Sequence, residues 1–193
     1  MTGKTKSPTL YIIAGPNGAG KTTASFNVLP SILDCKEFVN ADEIARGLSP
    51  FDPESVAIQA GKLMLARIDD LLRQGVSFGI ETTLATSSYI NLVEKAKQVG
   101  YRVNLLFFWL ESPLAAKNRV SKRVREGGHN IPDDIIERRY WRGLQNFFEK
   151  FMSIVDYWVI YDNNYKTAPI ASSVKIFDDV LLNKIRVSCQ NKS

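Results

Sequence analysis

Short apolar runs alternate with amphipathic stretches along the whole chain. Residues 9–14 form an apolar, β-prone run, and residues 20–29 after it read as a helix stopped near Pro30. Glu37-Phe38-Val39-Asn40 predicts a second strand. Asp52 as N-cap and Pro53 at the first helical position open a long helix. Its apolar residues Val56, Ala60, Met64, Ile68 and Leu72 recur every four positions and share one buried face, and Gly75 ends it. Residues 76–81 predict a third strand. A helix over about 87–99 carries Tyr89, Val93, Ala96 and Val99 on one side and stops at Gly100. Tyr101–Leu110, the most apolar stretch, predicts a central strand buried on both faces. Ser112-Pro113 starts another helix, which Gly127-Gly128 breaks. Asp134 and Glu137 have the spacing of a capping box, with Asp in the Ser/Thr place. The helix beyond them buries Ile136, Tyr140, Leu144, Phe147 and Phe151. Residues 156–161 and 173–177 predict two late strands, and a short helix closes the chain. This alternation implies an α/β fold with a mainly parallel sheet and helices on both faces, where ligands sit outside the carboxyl ends of the strands.

Composition narrows the class. With 193 residues, of which 45% are hydrophobic, the chain can bury one core, so residues 1–193 are expected to form a single domain with one mobile insert. The formal charge of +5 suits phosphate-bearing ligands without demanding nucleic acid. Cys35 and Cys189 form no C-x-x-C pair, which favours a reduced, cytoplasmic protein. Met1–Ser7 is polar and lacks the apolar core of a signal peptide. The longest apolar run, Leu105–Leu110, is too short to cross a bilayer, so no membrane association is expected.

The chemistry centres on Gly15-Pro16-Asn17-Gly18-Ala19-Gly20-Lys21-Thr22, which fits G-x-x-x-x-G-K-[ST] without a mismatch. It lies between the first strand and the first helix, the context in which this string cradles phosphates. Glycines let successive backbone N–H groups turn toward phosphate oxygens, and the helix N-terminus adds positive charge. Lys21 is expected to reach the β- and γ-phosphates of ATP, the Thr22 hydroxyl to hold Mg²⁺, and Thr23 to join the nucleotide site.

Three further segments follow predicted strands. Asn40-Ala41-Asp42 can offer the Asp42 carboxylate to an acceptor hydroxyl as a base; Asp42 could equally cap the helical turn Glu43–Arg46. Glu81-Thr82-Thr83 can orient Mg²⁺ through water, bind acceptor hydroxyls or donate to phosphate, or it can be a simple strand-to-loop turn. No aspartate follows four apolar residues in the usual metal-binding position; Glu111, after Leu105–Leu110, is the best formal match, with Asp42 or Glu81 as alternatives. Asp162-Asn163-Asn164 follows a late strand, where Asn163 can reach a nucleotide base or form a plain turn.

The segment 117–142 holds Lys117, Arg119, Lys122, Arg123, Arg125, Arg138, Arg139 and Arg142, opposed only by Glu126, Asp133, Asp134 and Glu137. The loop Gly127-Gly128-His129-Asn130-Ile131-Pro132 divides it. Two arginine-rich helix ends around a glycine hinge suggest a helical lid that closes over phosphates, since the guanidinium fork pairs phosphate oxygens bidentately. Arg119 is assigned to the nucleotide, and Arg119 and Arg123 share a face. The ordinary alternative is a solvated charged face. His129, the only histidine, is a weaker ligand candidate.

Together the phosphate loop, Val39–Asp42, Phe78–Thr83, the arginine-flanked loop 127–132 and Tyr161-Asp162-Asn163 resemble the zeta-toxin family of P-loop kinases, and more distantly chloramphenicol phosphotransferase. The resemblance implies a P-loop kinase fold and ATP/Mg²⁺-dependent phosphorylation of a small-molecule hydroxyl, a UDP-N-acetylamino sugar in the toxins. By motif it assigns the catalytic lysine to Lys21, the metal-binding hydroxyl to Thr22 and the catalytic aspartate to Asp42. The acceptor site falls on Glu81, with Asn40, Thr82 and Thr83 beside it, and the phosphate-contacting lid arginines fall on Arg125 and on Arg138 or Arg139. It also implies a protein antitoxin as partner. The lid sequence differs from that of the toxins. A polynucleotide 5′-hydroxyl kinase is the second enzyme reading, although no basic strand interleaved with aromatics is present to stack bases, which argues against nucleic acid. A nucleotide-dependent switch is the third.

Overall fold

The computed structural model describes residues 7–31, 33–128 and 130–190. A six-stranded sheet organises them in the order β2-β3-β1-β4-β5-β6. The first five strands are β1 (Thr9–Ala14), β2 (Glu37–Val39), β3 (Phe78–Thr82), β4 (Arg102–Trp109) and β5 (Tyr157–Asp162), and all run parallel. Only β6 (Ala168–Ser172) is antiparallel. Buried residues follow one another without alternation in β1 and β4: Leu105, Leu106, Phe107 and Phe108 are all inside. A strand of that kind has both faces covered, as the parallel sheet requires.

The helices are α1 (Lys21–Ser31), α2 (Ala41–Leu48), α3 (Ala57–Gln74), α4 (Ser88–Gln98), α5 (Pro113–Arg125), α6 (Asp133–Asn146), the single turn α7 (Met152–Ile154) and α8 (Asp179–Gln190). Between α6 and α7 the chain makes a π turn, Phe147–Phe151, which turns Phe147 and Phe151 into the core. Phe147 packs there on Phe107 of β4, ring centres 4.8 Å apart. No helix among the described residues is long and apolar enough to cross a membrane.

Five local expectations need correction. Helix α1 runs through Pro30 to Ser31, because a proline in the last turn removes only one bond near an end that is already fraying. Asp52 and Pro53 open a 3₁₀ turn, Pro53–Val56, and α3 begins only at Ala57. Val99 falls after the last turn of α4 and is exposed. The capping box at Asp134 and Glu137 does not form: α6 begins at Asp133, and Glu137 pairs with Lys117 of α5 at 2.7 Å. Finally, the last strand is 168–172 and not 173–177. Val174, Ile176 and Phe177 supplied the β-prone pattern, but they are exposed and turn back beside β6. Pro169 is tolerated in β6 because this strand is an edge.

Candidate active site

The carboxyl ends of β1, β2 and β3 deliver three short segments to one cleft of about 450 Å³. After β1, Gly18 and Gly20 both take φ of +75°, the left-handed conformation that lets neighbouring amides converge on an anion. The first amides of α1, at Lys21, Thr22 and Thr23, have no intrahelical acceptor and face the same side. Lys21 is 6% exposed; its Nζ donates to the Pro16 carbonyl at 3.0 Å and lies 3.7 Å from Glu81 Oε1. Burial lowers its pKa from the ordinary lysine value, while the charges of Glu81 and Asp42 oppose that shift. Asn17 Oδ1 is buried without a partner. A concave set of amides and a buried ammonium fit a polyphosphate. Gly15, Pro16 and Ala19 form the back of this loop and do not line the cleft, whereas Asn17, Gly18, Gly20, Lys21, Thr22 and Thr23 do.

Glu81 joins the three segments. Its Oε2 accepts from the Thr22 hydroxyl at 2.8 Å and from Asn40 Nδ2 at 2.9 Å. Asn40 Oδ1 in turn accepts from the Asp42 amide at 2.8 Å and caps α2. The capping alternative for Asp42 therefore belongs to Asn40, and the Asp42 side chain lines the cleft. A divalent cation on Thr22 would find the Glu81 carboxylate one hydrogen bond away, so the donor set fits Mg²⁺ held by hydroxyl and phosphate. Glu111, the formal metal candidate, is exposed and does not line the cleft; its amide donates to Asn164 Oδ1.

The loop after β3 is held from the far side by α6. Thr82 Oγ1 accepts from the Leu84 amide at 2.9 Å, and Leu84, fully buried, sits at φ +59°. A non-glycine residue in that region is strained and must be held by its surroundings. Asn146 supplies one hold, donating to the Leu84 carbonyl at 2.8 Å. Gly143 supplies another: a Cβ there would lie 2.4 Å from the Thr83 carbonyl oxygen, so only glycine permits this approach. Thr82, Thr83, Ala85 and Thr86 are thereby presented to the cleft.

Three arginines complete the wall: Arg119 and Arg123 from α5 and Arg139 from α6. Arg119 donates to the carbonyls of Asn163, at 2.8 Å, and Asn164. Asn163 Nδ2 donates to the Ala19 carbonyl at 2.7 Å, and its Oδ1 accepts from Thr167. Asn163 thus braces the phosphate loop through Nδ2 and holds Thr167 through Oδ1, with a second N–H and a second lone pair beyond these bonds. Arg125 and Arg138, the other lid candidates, are exposed and do not line the cleft. Helical phase explains this: Arg125 lies two residues from Arg123, and Arg138 one from Arg139, so each points to a different face. His129 lies outside the described residues.

The cleft also holds residues without an assigned role in the sequence. Tyr89 and Met64 line it, together with Glu43 and Arg46, which pair with each other at 2.8 Å. Burial raises the pKa of Tyr89, and the Asp42 charge adds to the rise. Its helical phase with Val93 and Ala96 marked it as inward-facing, but nothing in the sequence said that inward meant toward a cleft.

The family model described as Zeta toxin matches residues 1–175. A protein of Haemophilus influenzae (strain Rd) is 33% identical over 128 residues, 65% of this chain and 88% of its own length. Among solved structures, one from the PezAT chromosomal toxin–antitoxin system of Streptococcus pneumoniae superposes with a TM-score of 0.71 at 18% identity, over 98% of this chain and 87% of that one. The AvrRxo1-ORF1:-ORF2 complex with ATP gives 0.73 at 18% identity, over 93% of this chain, which spans only 63% of its counterpart. A gluconokinase from Sinorhizobium meliloti gives 0.52 at 14% identity, covering 96% and 95% of the two chains. The fold is that of the P-loop kinases.

Proposed function

The chain belongs to the zeta-toxin family, and from that premise we propose that it transfers the γ-phosphoryl group of ATP, with Mg²⁺, to a hydroxyl of a small molecule. The observation that carries the reading is the chain of hydrogen bonds Thr22–Glu81–Asn40–Asp42. It ties the hydroxyl proposed to hold the metal to the backbone amide of Asp42, the residue whose carboxylate is proposed to meet the acceptor. Chemistry of this kind is mostly positioning and charge stabilisation, which such a frame supplies.

Bound Mg-ATP supplies the phosphoryl group and the charge that makes it reactive. Lys21 and the loop amides hold the β- and γ-phosphates, and Thr22 holds the metal with Glu81 behind it. Asp42 takes the acceptor's hydroxyl proton as the acceptor oxygen bonds to phosphorus and the bond to the bridging oxygen of ADP breaks. Arg123 and Arg139 stabilise the charge on the group in transfer, and Arg119 and Asn163 keep the phosphate loop in place. The first acceptor to offer is a UDP-N-acetylamino sugar, and a protein antitoxin is the partner this reading proposes. The toxin–antitoxin origin of the pneumococcal relative supports that partner, and the ATP in the AvrRxo1 complex supports the nucleotide.

The test is incubation with Mg-ATP and a metabolite extract, followed by mass spectrometry for products heavier by one phosphoryl group. A product that Asp42→Ala and Lys21→Ala both fail to make supports the reading. ATP binding without any product, from small molecules or from 5′-hydroxyl oligonucleotides, contradicts it.

A further inference from the structure

The side of the cleft away from the phosphate loop has a wall of mixed character. Tyr89 rises from the first turn of α4, and Met64, only 4% exposed, enters beside it from α3. Asp42 lines the same cleft, close enough for its charge to act on the Tyr89 hydroxyl. Thr82 lines the cleft as well, and its hydroxyl oxygen accepts from the Leu84 amide at 2.9 Å. A phenol can both donate and accept a hydrogen bond. Burial raises the pKa of the Tyr89 phenol, so it keeps its proton at neutral pH. The wall therefore offers an aromatic ring and a thioether as an apolar surface, with one polar point in the same cleft as the carboxylate.

We propose, resting on the kinase reading above, that Tyr89 selects and positions the acceptor. Its ring and Met64 carry the acceptor's C–H face, and its hydroxyl bonds a second polar group adjacent to the hydroxyl that Asp42 receives. The acceptor this fits is a compact ring bearing neighbouring polar groups, such as a vicinal diol. A simple alcohol would leave the phenol unmatched and would be a poor substrate.

The experiment offers Mg-ATP with cyclohexanol, cis-1,2-cyclohexanediol, glucose and UDP-N-acetylglucosamine in turn, and measures KM and kcat for each. The wild type is expected to phosphorylate compounds with adjacent polar groups and to neglect cyclohexanol. Tyr89→Phe keeps the ring and is expected to raise the acceptor KM by about 3- to 10-fold, the loss of one neutral hydrogen bond, with KM for ATP within about twofold of wild type. Tyr89→Ala is expected to raise it by a further order of magnitude or so through loss of the apolar surface. Acceptor KM unchanged in Tyr89→Phe, or KM for ATP rising equally, overturns this inference and leaves the kinase reading standing. A wild type that phosphorylates none of these compounds and nothing in a metabolite extract overturns both.

Discussion

Replacing Glu81 by Gln removes one charge and almost no volume, and the structure fixes what that charge does. Glu81 Oε1 lies 3.7 Å from Lys21 Nζ, and the two side chains are 11% and 6% exposed. Its Oε2 accepts from Thr22 and Asn40. Removing one partner of a buried pair costs about 3–5 kcal/mol. Lys21 keeps its bond to the Pro16 carbonyl, and 3.7 Å is longer than a direct hydrogen bond, so the low end, about 3 kcal/mol, is expected. At about 2–4 °C per kcal/mol for a chain of this size, the melting temperature should fall by about 6–12 °C. ATP supplies phosphates as new partners for Lys21. With Mg²⁺ chelated, the nucleotide should therefore stabilise Glu81→Gln more than it stabilises the wild type. Thermal unfolding of both proteins with and without ATP reads both quantities. A variant melting within about 2 °C of wild type, or gaining less than wild type from ATP, would refute Glu81 as the resident counter-ion of Lys21.

Other perturbations probe other parts. Gly143→Ala forces a Cβ to 2.4 Å from the Thr83 carbonyl, so α6 must shift off the loop; urea unfolding should show a loss of about 1–3 kcal/mol, and an unchanged midpoint would contradict that contact. Arg139→Ala should reduce phosphoryl transfer by about 10²-fold or more, whereas Arg138→Ala, on the outward face, should transfer at near wild-type rate. Equal losses in steady-state assays would contradict that assignment. Burial pushes the Cys189 thiol up to about 11 from 9.0. Between these values the folded chain holds a proton that the unfolded chain has lost. The thiol's contribution is therefore intact below pH 9 and is lost as pH rises toward about 11. Cys189→Ala should flatten this alkaline decline relative to wild type in unfolding measured across that range; identical slopes would contradict it.

Much of this was legible in the chain because local signals agreed. The apolar run 101–110 read as a strand covered on both faces, and β4 is one. The glycine loop between strand and helix predicted a cradle, and Gly18, Gly20 and Lys21 form a concave wall. What sequence could not supply was relation at a distance. Glu137 and Asp134 had the spacing of a cap, but Lys117, 20 residues earlier, wins the Glu137 carboxylate. Among a run of arginines, only helical phase against the core separates Arg139 from Arg138, and that phase depends on where α6 docks. Gly143, Asn146 and Leu84 carried no motif at all, since their importance lies in a contact between α6 and a loop about 60 residues away. Asn163 was singled out by its position after β5, but nothing in the sequence named its partners, the phosphate loop and Thr167.

The central claim is that this cleft moves a phosphoryl group onto a hydroxyl with Asp42 as the accepting base. The most direct measurement compares wild type with Asp42→Ala, following ATP affinity and acceptor phosphorylation in the same preparation. The account predicts ATP binding unchanged within about threefold and transfer reduced by about 10²- to 10⁴-fold. Transfer at near wild-type rate in Asp42→Ala would contradict it.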